Sequence, residues 1–156
     1  NTNGGKRGLK DVLEENDGFF LDFEMFSEMK KALEGTFSSG ATVIIATMAK
    51  PCGQRICKQM IGKVQTKEEA LNEFSELVSK RNWGELSFVD VDFDKGSGKA
   101  VVRNSFEARK SLSKASCCHF FANFIAGFVS KLFAKNVIAK EEKCAGKGDS
   151  HCEFRF

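Results

Sequence analysis

Two cysteines near the end of the chain, Cys144 and Cys152, are the residues whose type and spacing best suit chemistry. They stand in EEKCAGKGDSHCEFRF, with seven residues between them, mostly Gly, Lys, Asp and Ser. Two antiparallel strands joined by a tight turn would bring such a pair together. The pair can therefore be half of a metal site, a disulfide, or two buried thiols.

A zinc ion needs about four ligands, and the chain offers few further candidates. Glu141 lies three residues before Cys144. A regular strand would place these two side chains on opposite faces, so they share a site only if the strand is bulged or ends early. The other cluster is CCH at 117–119, where Cys118 shares a helical stripe with apolar residues. Cys118 is the better candidate, and Cys117 and His119 are alternatives.

The cysteine usage also bears on the compartment. The chain has six cysteines, and no charged segment followed by an apolar export signal is visible. Spaced cysteines in a reducing compartment are more often metal ligands or core residues than disulfides. We therefore expect a cytoplasmic protein. Cys52 and Cys57, five apart on a predicted helix, are expected to be core residues.

The bulk composition excludes several classes of protein. With 42% apolar and 29% charged residues, the 156-residue chain has the composition of one globular domain. The net charge is +3, with 24 basic residues interleaved among 21 acidic ones, which argues against direct binding of nucleic acid. The most apolar window is broken by Asn123 and Lys131, so no membrane span is expected.

Hydrophobic periodicity predicts helices in the first half of the chain. One helix is expected from Glu24 to about Gly35, and a second from Ser38 or Ser39, with a kink or a junction between two helices at Pro51. Thr66 begins a third helix as its cap, with Glu69 at the capping-box position. Residues 1–17 are expected to be a flexible lead-in to a single domain over 18–156.

The period then changes to that of strands. Residues 85–104 predict a β-hairpin that turns at KGSG. A long helix from about Ser113 to Ala134 follows, and then a strand over 136–144 and a closing strand, 151–156, in which Cys152 faces inward and His151 outward. The fold class is therefore α+β: N-terminal helices packed on an antiparallel sheet, with a long helix between two C-terminal hairpins.

No catalytic constellation or phosphate-binding loop is present in the sequence, so we expect a binding protein rather than an enzyme. The long helix is apolar on two stripes and must bury both of them. Sixteen Phe and no Tyr predict that any pocket is apolar. The candidate ligand-binding residues are Trp83, Phe121 and Ile125.

Three segments carry a family resemblance: NSFEA (104–108), CHFFANFIAGF (118–128) and VIAKEEKCAGKGDSHCEF (137–154). Together they resemble the 4-vinyl-reductase-like domain, sharply over the C-terminal third and only generally over residues 24–104. Such domains are sensory modules of regulators that respond to aromatic compounds, and one is an accessory protein of bacteriochlorophyll synthesis. They are related in fold to subunits of Golgi tethering complexes and to haem-based nitric-oxide sensors.

The resemblance implies a zinc site made of Cys118, Glu141, Cys144 and Cys152. Four filled positions would leave none for water or substrate, so this zinc is expected to be structural. The expected function is a module that binds or senses a hydrophobic, aromatic small molecule. The alternatives are an accessory protein or enzyme of tetrapyrrole vinyl reduction, or a non-catalytic assembly subunit.

A second copy of the chain is the other expected partner. Residues 24–62 carry two helical patterns rich in apolar residues, including Ile45 and Met48. A sheet can cover only one side of such a layer, and large exposed apolar patches usually mark interfaces. The sensory relatives are similar in dimerising. We therefore expect a two-fold homodimer formed through the N-terminal helices.

Overall fold

The computed structural model describes residues 21–109 and 117–156. These residues form four α-helices: α1 (Phe23–Phe37), α2 (Gly40–Ile61), α3 (Lys67–Lys80) and α4 (His119–Leu132). They also form four strands and one short 3-10 helix: β1 (Glu85–Asp92), β2 (Ser97–Arg103), β3 (Lys140–Lys143), the 3-10 helix (Ala145–Lys147) and β4 (Cys152–Arg155). The predicted α+β class, with a long helix between two hairpins, is confirmed. The lead-in over 1–17 and the expected helix start near 113 lie outside the described residues.

The sheet is antiparallel throughout, in the order β1-β2-β4-β3. Strand β4 lies in its interior, where Val102 of β2 pairs with Cys152 and Glu141 of β3 pairs with Phe154. Strand β3 is shorter than the predicted strand over 136–144. Ile138, in the segment before β3, is 78% exposed, so its side chain does not line the core.

Helix α2 packs on α4 through a stripe of mostly small residues. Its buried side chains recur every fourth residue, at Ala41, Ile45, Ala49, Gly53 and Cys57. The two helices approach so closely that a Cβ on Gly53 would lie 2.0 Å from the carbonyl oxygen of Phe124. A Cβ on Gly127 would lie equally close, 2.0 Å, to the carbonyl oxygen of Lys50. The two backbones are therefore in direct contact.

The expected junction at Pro51 is wrong, because α2 runs unbroken from Gly40 to Ile61. Pro51 is exposed, while Ala49 and Gly53 on either side of it are buried against the core. Packing on α4 therefore aligns both halves of the helix despite the missing backbone donor. The capping of α3 is confirmed, since Thr66 Oγ1 accepts the N–H of Glu69 at 3.0 Å.

Helix α4 is the centre of the core, with ten of its 14 residues buried. Phe121 meets Phe154 of β4 at a centroid distance of 6.5 Å, and Phe128 stacks on Phe74 of α3 at 3.9 Å. Both apolar stripes of the helix are thus buried within one chain, as the sequence predicted. No helix within the described residues is long and apolar enough to cross a membrane.

Candidate metal centre

The four predicted ligands converge at the start of α4. One donor atom each from Cys118, Glu141, Cys144 and Cys152 lies within 4.8 Å of all the others, and the three cysteines are fully buried. The Sγ atoms of Cys118 and Cys152 are 3.5 Å apart. Zinc–sulfur bonds of about 2.3 Å in a tetrahedron would separate two sulfurs by about 3.8 Å. The cluster has the size that a four-coordinate metal requires.

A strand irregularity brings Glu141 and Cys144 to the same side. Glu141 pairs with Phe154, but Lys143 pairs with Glu153, so the register of β3 shifts between these two residues. An extra residue in one strand turns the following side chain toward the opposite face. The bulge that the sequence required for a shared site is therefore present.

The turn between β3 and β4 fixes Cys144 and Cys152. The N–H of Cys144 donates to Asp149 Oδ2 at 2.8 Å, and its carbonyl oxygen accepts from the N–H of Lys147 at 2.9 Å. Gly148 closes the turn at φ +104°, a conformation that favours glycine. The N–H of Ala145 donates to Cys152 Sγ at 3.4 Å, so a backbone donor faces this sulfur as well.

Glu141 supplies the observation that tests whether the cluster suits a cation. Its Oε2 accepts the N–H of Cys118 at 3.3 Å. Its Oε1 is buried and has no hydrogen-bond partner among the described residues. A buried carboxylate oxygen without a partner costs about 1–3 kcal/mol or more. A metal ion held between Glu141 and the three sulfurs would satisfy it.

Cys118 sits at the N-terminus of α4, where the helix dipole favours a thiolate. Its side chain makes no capping hydrogen bond in the described structure. The carboxylate of Glu107 caps the helix instead, with Oε1 accepting the N–H of Phe120 and Oε2 that of Phe121, both at 3.0 Å. Glu107 was not recognised in the sequence, because its partners lie more than ten residues away.

Lys30 of α1 neutralises this buried carboxylate. Its Nζ lies 3.1 Å from Glu107 Oε1 and also donates to the carbonyl oxygen of Cys117. The side chain of Glu107 is completely buried, and burial raises the pKa of its carboxyl although Lys30 acts in the opposite direction. A polar chain thus runs from α1 through Lys30 and Glu107 to the start of α4.

The thiols of the cluster are shifted in different directions. Burial raises the pKa of Cys144 to about 12. Hydrogen bonding of the Cys118 thiol with Cys117 and Cys152 raises the pKa of Cys118, and the same bond from Cys118 lowers the pKa of Cys152. Metal binding must therefore displace protons from Cys118 and Cys144, because only thiolates ligate.

The alternatives to the four ligands have different positions. Cys117 is buried, and its Sγ lies 3.4 Å from that of Cys144 and 4.0 Å from that of Cys118. His119 is half-exposed on the first turn of α4 and does not belong to the converging group. His151 is half-buried rather than exposed as expected, because its imidazole contacts Ser150 and lies 3.7 Å from Glu153.

The candidate ligand-binding residues lie in the adjacent core. Phe121 and Ile125 are completely buried. Trp83 is half-buried and belongs to an aromatic cluster with Phe106, Phe120 and Phe124, with ring centroids 5.3–5.8 Å from its own. Phe23 and Phe26 of α1 cover this aromatic cluster, although α1 has no fully buried residue.

A pocket of about 340 Å³ opens next to Trp83 but does not include it. It is lined by Ser79, Asn82, Gly84, Glu85, Asn104 and Arg109. These residues are polar and the pocket is open to solvent, unlike the apolar pocket that the composition predicts. The aromatic cluster is the better match to that prediction.

Comparison with known proteins identifies the C-terminal part of the chain. Residues 99–156 match the model of the 4-vinyl-reductase domain family. The chain is 28% identical over 120 residues to an uncharacterized protein of Methanocaldococcus jannaschii, covering 76% of this chain and 66% of that protein. A second uncharacterized protein of the same organism is 29% identical over 92 residues, with 53% and 56% covered. The chain thus spans less than two thirds of each relative.

Three solved structures share the fold. The phenol-responsive sensory domain of the transcription activator PoxR, with phenol, superimposes with a TM-score of 0.81 at 19% identity, covering 96% of this chain and 82% of that one. A vinyl-4-reductase family protein from Methanocaldococcus jannaschii gives 0.62 at 16% identity, with 99% and 97% covered.

The third structure is a trafficking protein particle complex subunit 3 from Naegleria fowleri, covalently bound to palmitic acid. It gives a TM-score of 0.64 at 11% identity, with 85% and 90% of the two chains covered. At these identities the three structures show the common fold. Together with the match over residues 99–156, they confirm the resemblance found in the sequence: the chain contains a 4-vinyl-reductase domain.

Proposed function

We propose that this chain is a sensory module that binds a hydrophobic, aromatic small molecule and is stabilised by a structural zinc ion. The observation that carries the proposal is the convergence of Cys118, Glu141, Cys144 and Cys152 within 4.8 Å. Three thiolates and one carboxylate form a donor set that zinc accepts in tetrahedral geometry. With four protein ligands, no position remains for a reacting water molecule or substrate.

The zinc ion would join two segments that are distant in sequence. Cys118 precedes α4, while Cys144 and Cys152 belong to the closing hairpin. A metal held by both would fix the start of the central helix against the sheet. We therefore assign it the role of stabilising the wall behind the aromatic cluster.

Metal analysis tests this part of the proposal. Freshly purified protein that has not met a chelator should contain about one zinc per chain, retained through gel filtration. Less than half an equivalent would contradict it. All six cysteines are free thiols, which agrees with the cytoplasmic location that we propose.

The sensory part of the proposal rests on two observations. The fold matches the phenol-responsive domain of PoxR with a TM-score of 0.81. In this chain, the aromatic cluster around Trp83 is covered by α1 through side chains that are only half-buried. We propose that the ligand contacts Trp83, with Phe121 and Ile125 behind it, and enters when α1 is displaced.

The fluorescence of Trp83 tests ligand binding directly. The chain contains one Trp and no Tyr, so its near-ultraviolet emission comes essentially from this residue. Aromatic acids, phenols, lipids and tetrapyrroles should be screened for a saturable change in emission and a rise in Tm, because a ligand selective for the native state stabilises it.

The Trp83→Phe variant is the matched control, since it keeps an aromatic ring but removes the emission. A compound that raises the Tm of the wild type should raise that of the variant less. If no compound of these classes raises the Tm, the sensory function is wrong. A rise in Tm without any change in emission would locate the ligand away from Trp83.

An assembly subunit is the second candidate. Five large apolar side chains on α1 and α2 are more than half exposed: Met25, Met29, Phe37, Val43 and Met48. The shared fold with the trafficking complex subunit agrees with a surface for protein partners. This function predicts a stable protein complex and no response of Trp83 to small molecules. Coloured protein would instead point to a bound cofactor and revive the enzymatic alternative.

A further inference from the structure

Cys117 is a fourth sulfur beside the three that belong to the metal cluster. Its Sγ lies 3.4 Å from Cys144 Sγ, closer than the 3.5 Å between the Sγ atoms of Cys118 and Cys152. A disulfide bond is about 2.0 Å long, so the first two sulfurs need to approach by about 1.4 Å to form one. Cys117 is 6% exposed and Cys144 is fully buried.

We propose that Cys117 and Cys144 are a thiol pair that a peroxide converts reversibly into a disulfide, and that formation of this bond releases the metal ion. The release rests on the proposed zinc site. Cys144 has a place in both states, because it ligates in the first and bonds to Cys117 in the second. The pair is therefore a modification site that competes with the metal.

The reaction balances with one peroxide for each disulfide. The Cys144 thiolate attacks one peroxide oxygen, the O–O bond breaks, and Cys144 becomes a sulfenic acid while hydroxide leaves. The sulfur of Cys117 then attacks the sulfur of Cys144, the S–O bond breaks, and water leaves with the thiol proton. Each sulfur loses one electron and the peroxide gains two. A dithiol reductant reverses the change and becomes oxidised itself.

The disulfide would keep the two segments together after the metal has left. Without Cys144, the metal retains only Cys118, Glu141 and Cys152, too few ligands to complete a tetrahedron. The new bond links the residue before Cys118 to the turn of the closing hairpin, the same segments that the metal joins. Oxidation thus removes the ion without detaching α4 from the hairpin.

The experiment treats the purified chain, loaded with zinc, with hydrogen peroxide and follows zinc release with a chromogenic chelator. Peptide mapping without reduction should identify a Cys117–Cys144 crosslink that forms along with the release. A dithiol should then restore the thiols and zinc binding. The Cys117→Ser variant should lack the crosslink and release zinc roughly tenfold more slowly, because the sulfenic acid has lost its partner. Cys52→Ser, which removes an exposed cysteine on α2, should behave as the wild type.

A crosslink between Cys118 and Cys152 in place of Cys117 and Cys144 would overturn the proposal, as would equal release rates in the wild type and Cys117→Ser. Mapping of the wild type does not depend on whether the variant folds. If the purified protein binds no zinc, the proposed metal site is wrong. The thiol pair is then tested alone, since the same crosslink must form in metal-free protein and raise its Tm above that of the reduced form.

Discussion

The ligand residues have one role in stability that single substitutions can isolate. Cys144→Ser and Cys152→Ser each remove a sulfur donor from the cluster, and metal binding to a folded site is part of the folding free energy. We therefore expect zinc content and Tm to fall together in both variants, measured by metal analysis and thermal unfolding. Cys52→Ser is the control and should change neither. A variant that loses stability but keeps its zinc would show that the ligands are misassigned.

Cys57 of α2 predicts a pH effect that is independent of the metal. Burial raises the pKa of this thiol from 9.0 to about 11, although Lys131 acts in the opposite direction. The folded protein therefore holds a proton that the unfolded chain loses, and stability falls as the pH rises from about 9 to about 11. Chemical denaturation at both ends of this range should show a smaller fall in Cys57→Ala. An equal fall in wild type and variant would contradict the assignment.

At the scale of elements, the ion pair of Lys30 and Glu107 anchors α1 to α4. Lys30→Ala would leave a buried carboxylate without its cation, which costs about 3–5 kcal/mol. The free energy of unfolding, measured with denaturant, should fall by that order. Lys31→Ala is the matched control, because the neighbouring Lys31 makes only an exposed ion pair with Glu28 and its loss should change little. Similar losses in the two variants would refute the anchoring role.

The contact between α2 and α4 predicts opposite effects of the same substitution at two glycines. Gly53→Ala would put a Cβ 2.0 Å from a backbone oxygen of α4, so the helices must separate, at a cost of at least about 2 kcal/mol. Gly35→Ala in α1 meets nothing within 4 Å and should stabilise the helix by about 1 kcal/mol. Thermal unfolding distinguishes them. Equal Tm values would mean that the two helices are not in backbone contact.

At the scale of the whole molecule, the exposed apolar side chains of α1 and α2 lead us to predict a two-fold homodimer. Met48 is 57% exposed and suits such a contact, whereas Ile45 is only 5% exposed and packs within its own chain. Light scattering at micromolar concentration should give twice the 17.3 kDa of one chain. Met48→Glu should give the mass of one chain with the zinc content unchanged, because the metal cluster lies in the other half of the sequence.

Ile138→Glu is the control for this substitution, since Ile138 is 78% exposed and lies between α4 and β3. It should leave the mass at two chains. A wild-type mass of one chain would defeat the prediction. A change at Ile45 would not be informative, because a buried charge there would unfold the monomer as well.

The sequence predicted the order and type of the elements because their periodicities are local. It predicted Cys144 and Cys152 from their spacing, whereas the full set of four ligands depended on the family resemblance. The shift that turns Glu141 toward Cys144 depends on pairing with β4, which spacing alone does not contain. Pro51 suggested a break that packing against α4 overrides.

Long-range partners explain the other differences. Glu107 caps a helix that begins twelve positions later in the chain, and Lys30 reaches it from α1. His151 is partly covered because Glu153 lies beside it on the same strand face. No periodic pattern carries these contacts, since each joins side chains whose proximity is set by the tertiary fold.

The position of β4 has a consequence for how the protein is made. Strand β4 lies between β2 and β3, yet it follows both of them in the chain. During synthesis, the first hairpin and the four helices leave the ribosome before residues 152–155 exist. Until then β2 has one unpaired edge, β3 has no neighbour in the sheet, and Cys152 cannot join the other ligands. Folding of this domain must therefore be completed late, and a nascent chain that stalls before residue 152 exposes strand edges that favour aggregation.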